Sequence, residues 1–203
     1  MPANKLIINI IISGFNVFIL SRYIYLLYYK KISPSLAMWV FFSLAVGISM
    51  FTYFADGDYN ISDNMLNFAD LILVVGVSIA ILIWGDPTTR FNRFDLGCLV
   101  AVLLIIVYWA ISNNHLVTNF SVQTIMVISY FPVVKRMVNQ QKNTEAFSIW
   151  IALFITPFIS LIVNKGMLAD LYAIRAILCT GIFLILMLRI EILKKKKLST
   201  KQA

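Results

Sequence analysis

Seven long apolar stretches fill almost the whole chain, and this feature limits its fold more than any other. Apolar residues make up 61% of the 203 positions, more than a water-soluble domain of this length can bury. A helix needs about 20 apolar residues to cross roughly 30 Å of hydrocarbon. The sequence therefore predicts an all-α integral membrane protein with seven transmembrane helices, at 6–28, 35–54, 65–84, 95–112, 117–138, 145–164 and 169–190.

The basic residues of the short loops alternate between the two sides of this predicted bundle. Thirteen of the 17 lysines and arginines lie in the loops after the first, third and fifth crossings, in the adjoining ends of the crossings, or at the C-terminal end. Because lysine and arginine accumulate on the cytoplasmic side, we expect the N-terminus outside, the C-terminus in the cytoplasm, and the cell membrane as the location. Asn119-Phe120-Ser121, on the predicted outer side, matches the glycosylation acceptor pattern.

The formal net charge of +8 is explained by this topology and gives no reason to expect nucleic acid as a partner. The run Lys194–Lys197 is typical of an anchor beside anionic membrane lipid. The loops are too short for a soluble domain. We therefore predict a single membrane domain over 1–193 and a basic cytoplasmic tail over 194–203.

A weak internal repeat relates the two halves of the chain. Shifting the sequence by 111 residues places 31–39 on 142–150, with Lys31 on Lys142 and Trp39 on Trp150. After three crossings the chain emerges on the opposite side of the membrane, and the fourth crossing returns it to the starting side. The fifth crossing therefore runs in the same direction as the first. The pattern therefore predicts a 3+1+3 arrangement of two parallel three-helix repeats, at about 6–84 and about 117–190, with 95–112 as linker. In such folds the binding site lies between the repeats, near mid-membrane.

The segment 129–150 carries the most specific motif. It contains a proline inside a helix, Pro132, then a basic loop, then the helix start Thr144-Glu145-Ala146-Phe147-Ser148-Ile149-Trp150. This order resembles the PQ-loop signature of the SWEET and PQ-loop (MtN3-saliva) transporter superfamily. Val133 stands where the family usually has glutamine. The resemblance implies an alternating-access carrier in which two three-helix bundles rock around a central pocket. The asparagine that coordinates substrate in that family is absent from the third helix of each repeat, which argues against a simple sugar.

Two charged residues within the predicted crossings need a reason, because such charges cost about 2.5–3.5 kcal/mol each by insertion scales. Arg175 and Asp70 lie at similar depths in the seventh and third crossings. They could pair across the cavity as a gate, or Arg175 could bind an anionic group of the substrate. Arg175 could also reach outward and pair with Asp170. Asp70 could titrate as a proton-coupling group.

Further candidates come from polar, aromatic and proline residues inside the crossings. The predicted substrate-binding residues are Asn16, Gln123, Ser129, Thr156, Ser160 and Arg175, and the predicted gating or hinge residues are Trp39, Asp70, Pro132, Trp150 and Pro157. Each polar residue could instead hydrogen-bond across a helix contact. The tryptophans could be interfacial anchors, and the prolines static kinks.

Nothing in the sequence predicts an enzyme. The chain has one histidine and no motif for nucleophilic or metal-assisted catalysis, and Cys98 and Cys179 stand singly within crossings. We expect no catalytic residues, no metal and no cofactor. The predicted function is a membrane carrier that moves a small polar solute, such as a sugar or a vitamin-like metabolite. The alternative is a ligand-binding receptor or sorting protein on the same fold. Whether the chain forms a homo-oligomer stays open.

Overall fold

The computed structural model of the protein describes residues 3–86, 93–112 and 114–202, and all regular structure in these ranges is helical. The helices are α1 (Ala3–Tyr28), α2 (Leu36–Ala55), α3 (Met65–Trp84), α4 (Arg93–Ser112), α5 (His115–Ile128), α6 (Phe131–Gln140), α7 (Phe147–Ser160) and α8 (Met167–Gln202), with a single 3-10 turn, Ile61–Asp63, before α3. The loop at 87–92, part of the basic loop after the third predicted crossing, lies outside the described residues.

Five helical segments are long and apolar enough to cross a membrane, which confirms an α-helical chain with membrane-spanning potential. They are α1, α2, α3, the α5–α6 segment and the first part of α8, whereas the apolar parts of α4 and α7 are shorter. Large apolar side chains also cover the outer surface. Ile182, for example, is 69% exposed. Such a surface suits contact with lipid rather than water.

Asparagine side chains cap two of these helices. Asn64 accepts a hydrogen bond from the backbone N–H of Asn67 at the start of α3, and Asn114 accepts one from Val117 at the start of α5. Each bond satisfies one of the N–H groups that a helix leaves free in its first turn. Both starts lie within two residues of the predicted boundaries at 65 and 117.

The predicted fifth crossing is broken into two helices. α5 ends at Ile128, Ser129 and Tyr130 form a turn, and α6 begins at Phe131 with Pro132 as its second residue. Proline has no N–H to donate to the carbonyl one turn back. It is tolerated in a first turn, where that bond would not form in any case, so the helix restarts here.

The sixth and seventh crossings also differ from their predicted bounds. α7 covers only Phe147–Ser160 rather than 145–164, with Pro157 inside it near its C-terminal end. At 1.5 Å per residue, its 14 residues span about 21 Å. α8 runs unbroken to Gln202, so the predicted tail at 194–203 continues a helix because lysine and leucine are good helix formers.

The helices pack as two groups that contact each other, with α4 at the side. α3 packs along both α1 and α2, while α8 packs along α7 and also contacts α5 and α6. Between these two groups, α1 packs on α7 and α2 packs on α5. α4 lies against α5 and, over a smaller surface, α2.

Polar side chains join α2 to α5 in the interior. The side-chain amide of Asn119 donates to Thr52 Oγ1 at 2.9 Å and to the carbonyl of Ser49 at 3.3 Å, and Gln123 donates to Ser49 Oγ at 3.1 Å. Asn119 is fully buried. The glycosylation pattern at 119–121 is therefore misleading, because its asparagine is a packing residue that no glycosylating enzyme can reach in the folded protein.

We predict that Asn119→Ala lowers the free energy of unfolding by about 1 kcal/mol, because it leaves Thr52 and Ser49 without this donor. Thermal unfolding in detergent micelles would measure the loss. Ser121→Ala is the control, since Ser121 is only half-buried and its hydroxyl makes an exposed hydrogen bond to the carbonyl of Val117 in its own helix. Equal unfolding temperatures for the two variants would contradict the role given to Asn119.

Candidate functional site: a polar cavity between two groups of helices

A cavity lies between the group α1–α3 and the group α5–α8. Its volume is about 50 Å³, enough for a few water molecules. The residues that line it come from both groups, and they include seven of the eleven predicted site residues, namely Asn16, Trp39, Asp70, Trp150, Thr156, Pro157 and Arg175.

Tyr172 organises the charged wall of this cavity. Its hydroxyl donates to Asp70 Oδ2 at 2.8 Å, and the guanidinium carbon of Arg175 lies 4.6 Å from the centre of its ring. Arg175 Nε donates to Gln123 Oε1 at 3.1 Å. The tyrosine thus contacts both charges, an acid from α3 and a base from α8.

The predicted direct ion pairs of Arg175 are absent from the described part of the chain. The ion pair found there within 4.0 Å is Lys5 with Asp63, so Arg175 pairs directly with neither Asp70 nor Asp170. Asp170 instead accepts a hydrogen bond from Asn164 Nδ2 at 3.3 Å. Asp70 accepts a hydrogen bond from Tyr172 instead, and Arg175 Nε donates to Gln123.

Two polar atoms on the cavity wall are buried and have no partner in the protein. Asn16 uses its amide N–H to bond the carbonyl of Ile12 at 3.2 Å, which leaves its Oδ1 unbonded. Trp39 Nε1 likewise has no acceptor. A buried polar atom without a partner costs about 1–3 kcal/mol. One acceptor and one donor of residues that line the cavity are therefore without a hydrogen bond.

Aromatic rings form the wall nearest the α1 C-terminus. The ring centre of Tyr130 lies 5.2 Å from that of Phe42 and 5.8 Å from that of Trp150, while Trp39 meets Tyr23 edge-on at 5.0 Å. Trp39 and Trp150, which the repeat aligns, both line the cavity and both are almost fully buried. Their burial makes a role as exposed interfacial anchors unsuitable.

The remaining predicted residues lie elsewhere. Gln123 reaches the cavity only through Arg175. Ser129 and Ser160 are buried but bond the carbonyls of Ile125 and Pro157 in their own helices. Pro132 follows the turn between α5 and α6. Thr156 lines the cavity, although its hydroxyl donates to the carbonyl of Ala152 at 2.7 Å.

At one end of the helix groups lie contacts that we call the Glu145 closure. Tyr23 near the end of α1 donates to Glu145 Oε2 at 2.7 Å, and Trp150 Nε1 donates to the same oxygen at 3.3 Å. Nearby, the backbone N–H of Ser33 donates to the carbonyl of Thr144 at 3.2 Å. Arg136 donates to the carbonyl of Ser33 and to Thr144 Oγ1.

At the other end lie contacts that we call the Asp63 closure. Lys5 donates to Asp63 Oδ1 in an ion pair. The backbone N–H of Lys165 donates to the carbonyl of Asp63 at 2.9 Å, and Tyr53 donates to the carbonyl of Lys165 at 2.9 Å. Both closures therefore join the helix group α1–α3 to the segment 131–166.

Three important residues escaped prediction from the sequence. Tyr172 is three positions before Arg175, a spacing that places both on one helical face and could have indicated their stacking. Glu145 falls within the predicted crossing 145–164. The cost of a charge inside a crossing, which indicated Arg175 and Asp70, could therefore have indicated Glu145 too. Tyr130 had no such signal, since an aromatic residue in an apolar segment is ordinary.

Across the described ranges, no group of three or more histidine, cysteine, aspartate or glutamate side chains is arranged to hold a metal ion. The chemistry available at the cavity is the binding of a polar group by Arg175, Asp70, Asn16 and Trp39.

We predict that Asp63→Asn lowers the unfolding temperature at neutral pH and that this effect becomes smaller as the pH falls below the usual carboxyl pKa. The hydrogen bond from Lys5 holds the pKa of Asp63 below its usual value. The ion pair therefore stabilises the fold above that usual value and is lost as the pH falls through the lowered pKa. The expected size is about 0.5 kcal/mol.

Unfolding curves between pH 3 and pH 8 would test this, with Asp58→Asn as the control because Asp58 is exposed in the same loop. A loss for Asp63→Asn that is constant across the pH range would be inconsistent with the ion pair as its cause.

Comparison of the chain with protein-family models, with curated proteins and with solved structures finds no match.

Proposed function

We propose that this protein is a membrane carrier that moves a small polar solute by alternating access between two three-helix bundles. The observation that carries the proposal is the polar cavity between two separate closures. Asp70, Tyr172 and Arg175 lie on its wall beside the unbonded atoms of Asn16 and Trp39. Charged groups within membrane helices commonly mark a solute path.

We propose that the bundles are α1–α3 and α5–α8, joined by α4 in a 3+1+3 order. The helix contacts support this, because the third helix of each bundle packs on the other two. Across the bundles, α1 packs on α7 and α2 packs on α5. In the 3+1+3 order, α1 corresponds to the α5–α6 segment and α2 corresponds to α7. Exchanging the two bundles therefore turns the α1–α7 contact into the α2–α5 contact, as expected for parallel repeats related by a two-fold axis. This order also supports a distant relationship to the SWEET and PQ-loop superfamily.

Transport in this scheme opens the two closures in turn. Each closure includes a few hydrogen bonds between the bundles, beside others within one bundle, and each bond contributes only about 1 kcal/mol net. Thermal motion and solute binding can therefore exchange one closure for the other. Tyr130, in the break before Pro132, and Pro157, inside α7, both line the cavity, where hinges would be needed.

The charge distribution orients the proposed carrier. Lys30, Lys31 and Lys142 lie at the end of the bundle that holds the Glu145 closure, so we assign that end to the cytoplasm. The Asp63 closure then faces outward. We propose the cell membrane as the location and anionic lipid as the partner of the basic C-terminal segment.

The existence of two closures favours a carrier over the alternative, a receptor on the same fold. A receptor needs one opening through which its ligand arrives and leaves, whereas a carrier needs a closure at each end. Uptake separates the two functions, since a receptor binds its ligand and moves none.

Purified protein should first be screened by thermal shift against sugars, nucleosides, vitamins and amino acids, and each stabilising solute then tested for concentration-dependent uptake into proteoliposomes. Binding without uptake would support the receptor instead, and a chain that neither binds nor transports any of these solutes would contradict both.

We predict that Arg175→Ala reduces uptake of the identified solute at least tenfold below saturation, because a hydrogen bond to a charged group contributes about 1.5–3 kcal/mol. Arg22→Ala is the matched control, since Arg22 lies exposed on α1. Thermal unfolding of both variants shows whether Arg175→Ala still folds. Unchanged uptake by a folded Arg175→Ala protein would remove Arg175 from the binding site.

A further inference from the structure

Glu145 is an acidic residue buried in a loop, a position where a carboxyl group is usually exposed to water. It lies in the loop 141–146, between α6 and α7, yet it is buried. Tyr23 and Trp150 both donate to Oε2, while Oε1 is buried with no partner. A carboxylate has two oxygens that share the charge, and a buried charged oxygen without a donor is costly. The surroundings thus suit a neutral carboxyl group better than a carboxylate.

The base nearest to this acid does not neutralise it directly. Arg136 directs its hydrogen bonds at Ser33 and Thr144, and its Nε is buried without an acceptor. The titratable or charged groups that face Glu145 are the Tyr23 hydroxyl from α1 and the Arg136 guanidinium from α6. Asp86, after α3, acts on Arg136. The closed arrangement therefore leaves both Glu145 and Arg136 incompletely bonded.

We propose that Glu145 is the gating residue of this end of the cavity, and that it takes up one proton when the Glu145 closure forms and releases it when the closure opens. The proposal rests on the carrier function above, since it assigns a proton-controlled step to one of its two closures. In the closed form, neutral Glu145 accepts hydrogen bonds from α1 and α7 and so joins the two bundles. In the open form it meets water and ionises.

The direction of the pH effect follows from burial. Burial raises the pKa of Glu145 from its usual value near 4.5 to about 7. A group whose pKa is raised in one state favours that state at low pH, and the preference is lost as the pH rises through the raised value. The Glu145 closure is therefore favoured in acid. The ratio of open to closed molecules rises by up to tenfold per pH unit between about 4.5 and about 7.

A distance measurement across the closure tests this without any transported solute. Spin labels are attached at Lys31→Cys and Lys142→Cys, in loops on either side of the Ser33–Thr144 hydrogen bond, after Cys98→Ser and Cys179→Ser remove the native thiols. Both lysines are exposed. In lipid nanodiscs, we expect mainly a short distance at pH 5 and a longer one whose population rises as the pH is raised to about 7 and then levels off.

Glu145→Gln should keep the short distance at every pH, because glutamine retains the acceptor for Tyr23 and Trp150 and cannot ionise. Tyr23→Phe, which removes one donor without changing charge, should increase the ratio of long to short distances about fivefold at pH 5. Glu191→Gln, a matched loss of charge on α8, should retain the pH response.

A distance distribution that does not change with pH would overturn the proposal, as would a Glu145→Gln protein that still responds. If Glu145→Gln does not fold, a Tyr23→Phe protein with an unchanged ratio would also overturn it. A pH response without uptake of any solute would contradict the carrier while supporting the proton-controlled closure. Uptake of a solute without a pH response would support the carrier and contradict the proton-controlled closure.

Discussion

The absence of water from the bilayer interior determines how a chain of this kind holds together. Backbone polar groups must bond within their own helix, so contacts between helices depend on side chains. Apolar packing supplies most of that contact, but lipid tails are as apolar as the helices themselves. Hydrogen bonds such as that from Asn119 to Thr52 therefore determine which helix faces which.

The same constraint explains why the polar residues concentrate between the two helix groups. A charge facing lipid would be costly, so Asp70 and Arg175 face a cavity and share Tyr172 as their neighbour. This arrangement partly satisfies each charge but leaves polar atoms of Asn16 and Trp39 unbonded. In the proposed carrier, such a site favours binding of a polar solute, because the penalty of the unbonded atoms is already present before binding.

The closures at the two ends differ in their chemistry. The Asp63 closure contains an ion pair near the surface, whose strength depends little on pH above the usual range of a carboxyl group. The Glu145 closure contains a buried acid bonded to a tyrosine and a tryptophan. Proton concentration near neutrality therefore acts on one end and leaves the other unchanged. In the proposed cycle, this difference would give the protein a preferred direction when a pH gradient is present.

Hydrophobic length and composition by themselves determined the helical, membrane-compatible class of this protein and most helix positions, because about 20 apolar residues in lipid have few alternatives to a helix. They also indicated Arg175 and Asp70, since charge is conspicuous in an apolar segment. Only the tertiary structure decided which side chains contact or hydrogen-bond each other. Tyr172 separates the two charges, Asn119 is a buried contact rather than a surface acceptor, and Glu145 joins α1 to α7 from a loop. These outcomes depend on which side chains approach across helix contacts, and residues as distant as Tyr23 and Glu145 have no periodic pattern that connects them.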